Sequence, residues 1–281
     1  MVEIRVLEKN PYVLKLHVKD IPLHVLNSIR RTILSEVPTM AVDFVVFTIN
    51  SSVFYDEYIA HRLGLIPLTS EEALEKYKSP EECREAGEKG VFSEDCFVKL
   101  ELEGKGREGE IVTLYSGDLK TSDPDVKPIH DKIPILALTG NQEIKLEAYA
   151  RLGRGKEHAK WSPVSIATHK YVPNILIDYE KCKGETCKEC IEVCPRNIFD
   201  LVDGKLIVKS EKIYECTLCR YCEEKCPVNA IRVKWIENEF ILTIESTGSL
   251  STKKILLEAV KILEEKINDF INSLKERGVL E

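Results

Sequence analysis

Cys216-Thr217-Leu218-Cys219-Arg220-Tyr221-Cys222-Glu223-Glu224-Lys225-Cys226-Pro227 spaces four cysteines as Cys-x2-Cys-x2-Cys-x3-Cys ahead of a proline. That spacing is the ligand run of a cubane iron–sulfur cluster: three closely set thiolates serve one cube, and the fourth can reach another. Zinc, the other metal that favours four thiolates, is usually held by two separate Cys-x2-Cys pairs. The run therefore points to iron and sulfide.

Working upstream, Cys187, Cys190 and Cys194, followed by Pro195, repeat the last three positions 32 residues earlier, and Asn197 repeats as Asn229. This is an internal duplication. Its first ligand is displaced, because an offset of 32 from Cys216 lands on Gly184 and the nearest cysteine is Cys182. In a two-cluster ferredoxin the fourth cysteine of each run serves the other cluster. One expected quartet is thus Cys182, Cys187, Cys190 and Cys226, and the other Cys216, Cys219, Cys222 and Cys194, with Cys182 the least certain by spacing. Between the runs, Ile198 to Leu201 and Leu206 to Val208 flank Asp203-Gly204, a hairpin turn signal. A ferredoxin-like module is expected over 174–235.

Outside the module the chain changes character. Residues 3 to 8 and 12 to 19 read as a hairpin, with Leu14, Leu16 and Val18 alternating against polar neighbours. Asp20 and Pro22 suit the start of a helix whose Leu23, Leu26, Ile29 and Ile33 share a face before Pro38. At the other end Phe240, Leu242 and Ile244 alternate in a strand, Gly248 and Ser249 break it, and a helix runs from about Thr252 to Lys275. Its Leu256, Val260, Leu263, Ile267, Phe270 and Leu274 form an a/d seam, which suits either a core helix or a helix shared with a partner chain. Residues 40–173 mix strand and loop and read as an inserted, mainly β domain. The whole is an α+β protein.

The 281 residues suit roughly two domains, with 43% of them apolar. No apolar run approaches the ~18 residues of a membrane span, and no secretory leader is evident, so a cytoplasmic protein is expected. The net charge of −7 argues against a chain held to nucleic acid by its own surface. Residues 66 to 125 carry eight Lys/Arg and sixteen Asp/Glu, so the acidity resides there. The single glutamine, Gln142, beside 31% charged residues is a bias of proteins from hot environments.

Cys83 and Cys96 cannot close a zinc site alone, which leaves buried free thiols or, second to these, a disulfide; the acidic stretch between them reads as a loop. Gly153-Arg154-Gly155-Lys156 lacks the glycine spacing of a nucleotide loop and reads as a basic surface turn. His61, His158 and His169 have no catalytic companions in sequence, so structural roles are expected. No catalytic constellation emerges.

Six stretches together resemble one family. They are Asn27-Ser28-Ile29-Arg30-Arg31-Thr32, Val37-Pro38-Thr39-Met40-Ala41-Val42, Tyr55-Asp56-Glu57, His61-Arg62-Leu63-Gly64-Leu65-Ile66-Pro67-Leu68, His158-Ala159-Lys160-Trp161 and Glu245-Ser246-Thr247-Gly248-Ser249-Leu250. The chain is similar, along its whole length, to the alpha-like, D-type subunits of archaeal DNA-directed RNA polymerase, the relatives of the bacterial alpha subunit. The resemblance implies a discontinuous dimerisation domain, here 1–39 and 236–281, with 40–173 and 174–235 inserted. It implies a heterodimer with the small subunit L through the helical seam, and contacts to the large subunits around Asn27, Arg30, Arg31, His61 and Arg62. It also implies iron–sulfur clusters. The eight cysteines favour two 4Fe-4S clusters, although some members carry one cluster or a 3Fe-4S form. The competing reading, from ligand spacing alone, is an electron-transfer subunit of an oxidoreductase. Against it, no flavin, nicotinamide or molybdenum motif accompanies the module.

Overall fold

A computed structural model describes residues 1–88 and 94–279. In chain order the elements are β1 (Glu3–Lys9), β2 (Val13–Lys19), α1 (Leu23–Ser35), β3 (Pro38–Asn50), α2 (Asp56–Gly64), α3 (Ala73–Lys76) and α4 (Pro80–Glu88). There follow β4 (Val98–Lys105), β5 (Ile111–Tyr115), β6 (Lys120–Thr121), β7 (Pro134–Thr139), β8 (Glu143–Arg154) and β9 (Val164–Ile177). The chain continues with α5 (Glu189–Glu192), β10 (Phe199–Val202), β11 (Lys205–Val208), α6 (Tyr221–Glu224), β12 (Ile231–Ser246) and α7 (Thr252–Glu276). The fold is mixed α and β, as expected.

These elements form two compact units. The first comprises Met1–Glu8, Lys15–Leu26 and Thr168–Thr243, and the second Lys9–Leu14, Asn27–Ala167 and Ile244–Glu281. In the sheet order β1-β2-β12-β9, two long strands run without interruption through residues 173 and 235. The expected hairpin at Asp203-Gly204 is present: β10 and β11 pair from Phe199↔Val208 to Val202↔Lys205, and both turn residues have positive φ, as a two-residue hairpin turn requires. Asp20 does not cap α1. Its φ of 56° puts it in the left-handed region, whereas an N-cap is extended, and the first turn closes instead on the carbonyl of Pro22.

The second unit holds a sheet of order β3-β8-β4-β6, in which β3 and β8 pair from Pro38↔Arg154 to Asn50↔Ile144. Its inward residues, among them Met40, Leu100, Leu102, Leu146 and Ala148, pack with Ile59 and Leu63 of α2. Trp161 closes one end. A Cβ on Gly153 would stand 2.3 Å from its indole, so only glycine lets the ring lie on β8. Arg151 and Lys160 stack on that ring at 4.5 and 4.2 Å, and both pair with Asp43.

The stretch after Cys83 is not the expected loop. Up to Glu88 it is the helix α4, started by Ser79 and Glu82, whose side chains bond each other's backbone N–H with Pro80 between them; residues 89–93 lie outside the described residues. Cys83 and Cys96 are bonded to each other, the second of the two readings of that pair.

The 153–156 turn also departs from a free basic surface. Arg154 bonds Glu36 and Glu81, and Lys156 bonds Glu36 at 2.9 Å, while Lys266 of α7 reaches the same carboxylate at 2.9 Å. Three cations thus share one largely buried carboxylate. Burial alone would raise the Glu36 carboxyl, but the hydrogen bonds from Lys156 and Lys266 outweigh it and hold it below the usual range. A depressed folded-state pKa gives a contribution present above the unfolded-state pKa and lost as pH falls through the folded one. Glu36→Gln should therefore cost about 2 kcal/mol at neutral pH, read as a lower urea midpoint, and the gap should close in acid. A gap independent of pH would mean that the charge is immaterial.

Candidate iron–sulfur site and partner surface

The eight remaining cysteines all lie in the first unit and are unbonded. Four of them, Cys190, Cys216, Cys222 and Cys226, are buried in a small core with Ile198, Phe199, Leu206, Ala230, Ile231 and Val233. The duplication is visible in the backbone. The one-turn helices α5 and α6 are displaced by 32 residues, and Asn197 and Asn229 both take positive φ after their Cys-Pro pairs. Asparagine tolerates that conformation better than most residues, which explains its repetition.

Thiols of the two runs lie near one another in the fold. Burial pushes the Cys190 thiol up to about 11, reinforced by Cys182, Cys187 and Cys226. Burial likewise pushes Cys222 up to about 12, reinforced by Cys194, Cys216 and Cys219. Cys226 thus lies near the first run and Cys194 near the second. Cys194, Cys216, Cys219 and Cys222 also line one pocket, closed by Pro195, Ile198 and Val233. Among the described residues no three His, Cys, Asp or Glu side chains lie close enough for a single metal ion.

The structure also gives the reason why the repeat lacks a cysteine at 184. Gly184, at the place that mirrors Cys216, has φ of 54°, and a Cβ there would stand 2.1 Å from the Gly204 carbonyl oxygen. No cysteine fits at 184. Cys182 stands two residues away, with its N–H on the Asp178 carbonyl at 2.9 Å. Two sets of soft thiolates, half of them buried, suit iron–sulfur chemistry, and metal would replace the protons that burial holds on Cys190, Cys216 and Cys222.

Around the second quartet Lys170 was missed in sequence, since nothing distinguishes it from other strand lysines. Its Nζ donates to the carbonyls of Tyr214 (2.5 Å) and Cys216 (2.8 Å). Burial, with Lys15 nearby, holds its pKa below the usual lysine value, and Cys216 opposes that shift. Tyr214 in turn meets buried His17, Oη to Nδ1 at 3.3 Å.

The expected partner residues belong to the second unit. Asn27 accepts from Arg30 Nε and Nη2 at 3.1 and 3.0 Å, which fixes that guanidinium, while Arg31 is exposed. His61 is exposed, and Arg62 stacks on Tyr58 and donates to its hydroxyl. His158 accepts from Lys160 N–H and His169 lies edge-on to Phe240. Along α7 two stripes separate. Thr252, Ile255, Ala259 and Ile262 are buried within the chain. The a/d seam lies one position over: Leu256, Leu263 and Leu274 are half-buried, and Val260, Ile267 and Phe270 are exposed, the last two by 59% and 65%.

A polymerase insert fused to an iron–sulfur module is the class these parts define. Residues 45–178 match the family described as RNA polymerase Rpb3/RpoA insert domain, and residues 214–232 match the 4Fe-4S binding domain. DNA-directed RNA polymerase subunit Rpo3 of Aeropyrum pernix is 41% identical over 283 residues, covering 99% of this chain and 97% of its own. The protein of the same name from Archaeoglobus fulgidus is 39% identical, covering 98% and 99%. That from Methanosphaera stadtmanae is 41% identical, covering 89% and 90%. The chain belongs to the Rpo3 family of archaeal DNA-directed RNA polymerase subunits. It is a non-catalytic subunit of a nucleotidyltransferase complex with an iron–sulfur module, rather than an electron-transfer protein. Among the described residues no helix is long and apolar enough to cross a membrane.

Proposed function

We propose that this chain is the assembly platform of a cytoplasmic archaeal RNA polymerase, pairing with the small subunit L and docking the large subunits. The exposed seam of α7 carries this reading. A helix that satisfies its own core with one stripe and leaves Ile267 and Phe270 in solvent has apolar area to bury against a second helix. In this reading 1–39 and 236–281 form the dimerisation domain, into which 40–173 and 174–235 are inserted. Asn27, Arg30, Arg31, His61 and Arg62 face the large subunits.

The module holds two 4Fe-4S clusters, on Cys182, Cys187, Cys190 and Cys226 and on Cys194, Cys216, Cys219 and Cys222, in a structural or regulatory role. Anaerobic co-expression with the small subunit should yield a stable heterodimer containing about eight iron and about eight sulfide. A monomeric chain would overturn the pairing. About four iron would leave one cluster.

A further inference from the structure

The two thiol quartets differ in one respect that the duplication does not predict. Both receive main-chain N–H groups: Ala230 N–H points at Cys226 Sγ at 3.2 Å, and Leu218 and Glu223 main-chain hydrogen bonds reach Cys216 and Cys222, opposing the larger upward push of burial. Such bonds therefore do not set the quartets apart. Charge does. Lys170, half-buried on β9, reaches the carbonyl of a ligand of the second quartet, and exposed Arg196 and Arg220 line the same pocket, with exposed Glu215 opposing.

We propose that Lys170 makes the two iron–sulfur sites electronically unequal, so that the site of Cys194, Cys216, Cys219 and Cys222 takes up an electron before the other. The inference rests on the two-cluster reading above.

A cubane held by four thiolates carries net negative charge, and one-electron reduction adds one more unit with no bond made or broken. The electron comes from dithionite, whose radical anion is oxidised to sulfite. A cation within a few ångströms of a ligand stabilises the more negative, reduced form more than the oxidised one, and a partly desolvated cation is screened less than one in water. Arg196 and Arg220 are exposed, so their effect is weaker. Exposed Cys219 acts in the same direction as Lys170, because water also favours the higher charge. The site reduced first is thus the one with a fully exposed ligand, whereas Cys182 and Cys187 of the other are only partly exposed.

The test is a dithionite titration of the anaerobically reconstituted full chain, followed by electron paramagnetic resonance, with iron and sulfide counted on the same sample. The wild type should show two one-electron steps. Lys170→Met should lower the upper step roughly tenfold in its equilibrium constant, about 59 mV for one electron, and leave the lower step in place. Lys170→Arg, which keeps the charge, should hold the upper step near its original position. Two full clusters with both steps unmoved in Lys170→Met would overturn the proposal, as would movement of the lower step alone. Iron for one cluster and a single step in the wild type would instead overturn the two-cluster reading, and the ordering with it.

Discussion

Replacing Leu263 and Ile267 together by aspartate is expected to abolish pairing with the small subunit while the chain itself stays folded. Each apolar side chain contributes about 1.5–3 kcal/mol when buried, and a carboxylate in its place leaves an unpaired charge in an apolar contact. Two such losses come to roughly 6 kcal/mol or about four orders of magnitude in Kd. The chain tolerates the change because its own core uses Ile255, Ala259 and Ile262, while Ile267 is 59% exposed. Ile267→Asp alone is the cleaner variant, since Leu263 is half-buried within the chain. Co-elution of the double variant with the small subunit on a sizing column would refute the shared seam. A lowered melting temperature of Ile267→Asp by itself would show that the residue belongs to the chain's own core.

What the amino-acid pattern disclosed about α7 illustrates why some features were legible. Large residues at alternating spacings of four and three announce the seam, but the stripe that holds the helix to its own unit contains Thr252 and Ala259, whose weak apolar character hides it. Likewise Asp203-Gly204 sits between two apolar runs and specifies its hairpin locally. The helix α4 was equally local, since Ser79, Pro80 and Glu82 form a start signal, yet the acidity of the stretch suggested a loop. Features that depend on distant residues were out of reach. Arg154 and Lys156 meet a carboxylate more than a hundred positions away, so their sequence neighbourhood reads only as basic.

The metal site divides the same way. Ligand chemistry demands cysteine at fixed intervals, and that demand is written in the order of residues without regard to tertiary structure. The displacement of one cysteine of the repeat from 184 to 182 is visible in sequence, but what bars a side chain at 184 is the Gly204 carbonyl at the tip of the β10–β11 hairpin. Lys170 carries no motif at all. It becomes distinctive only because β9 brings it to the carbonyls of Tyr214 and Cys216.

Loss of the clusters is expected to spare the heterodimer and weaken incorporation into the complete polymerase. The helix seam belongs to one compact unit and all eight candidate ligands to the other. In the module's core, four of ten buried residues are cysteines, and the rest are Ile198, Phe199, Leu206, Ala230, Ile231 and Val233. So few apolar side chains cannot offset the conformational entropy of ordering the loops between them. Metal ligation would supply the remainder, so the module without iron should open locally. An open segment has to be ordered again on contact with another subunit, which subtracts from binding. Cys190→Ser with Cys219→Ser removes one ligand from each quartet. Pairing with the small subunit should persist, while recovery of the large subunits in a pull-down should fall several-fold. The iron content of the same preparation fixes the interpretation. Full recovery from an iron-free variant would deny the clusters any part in assembly, and failure of the heterodimer itself would show that the seam depends on the module.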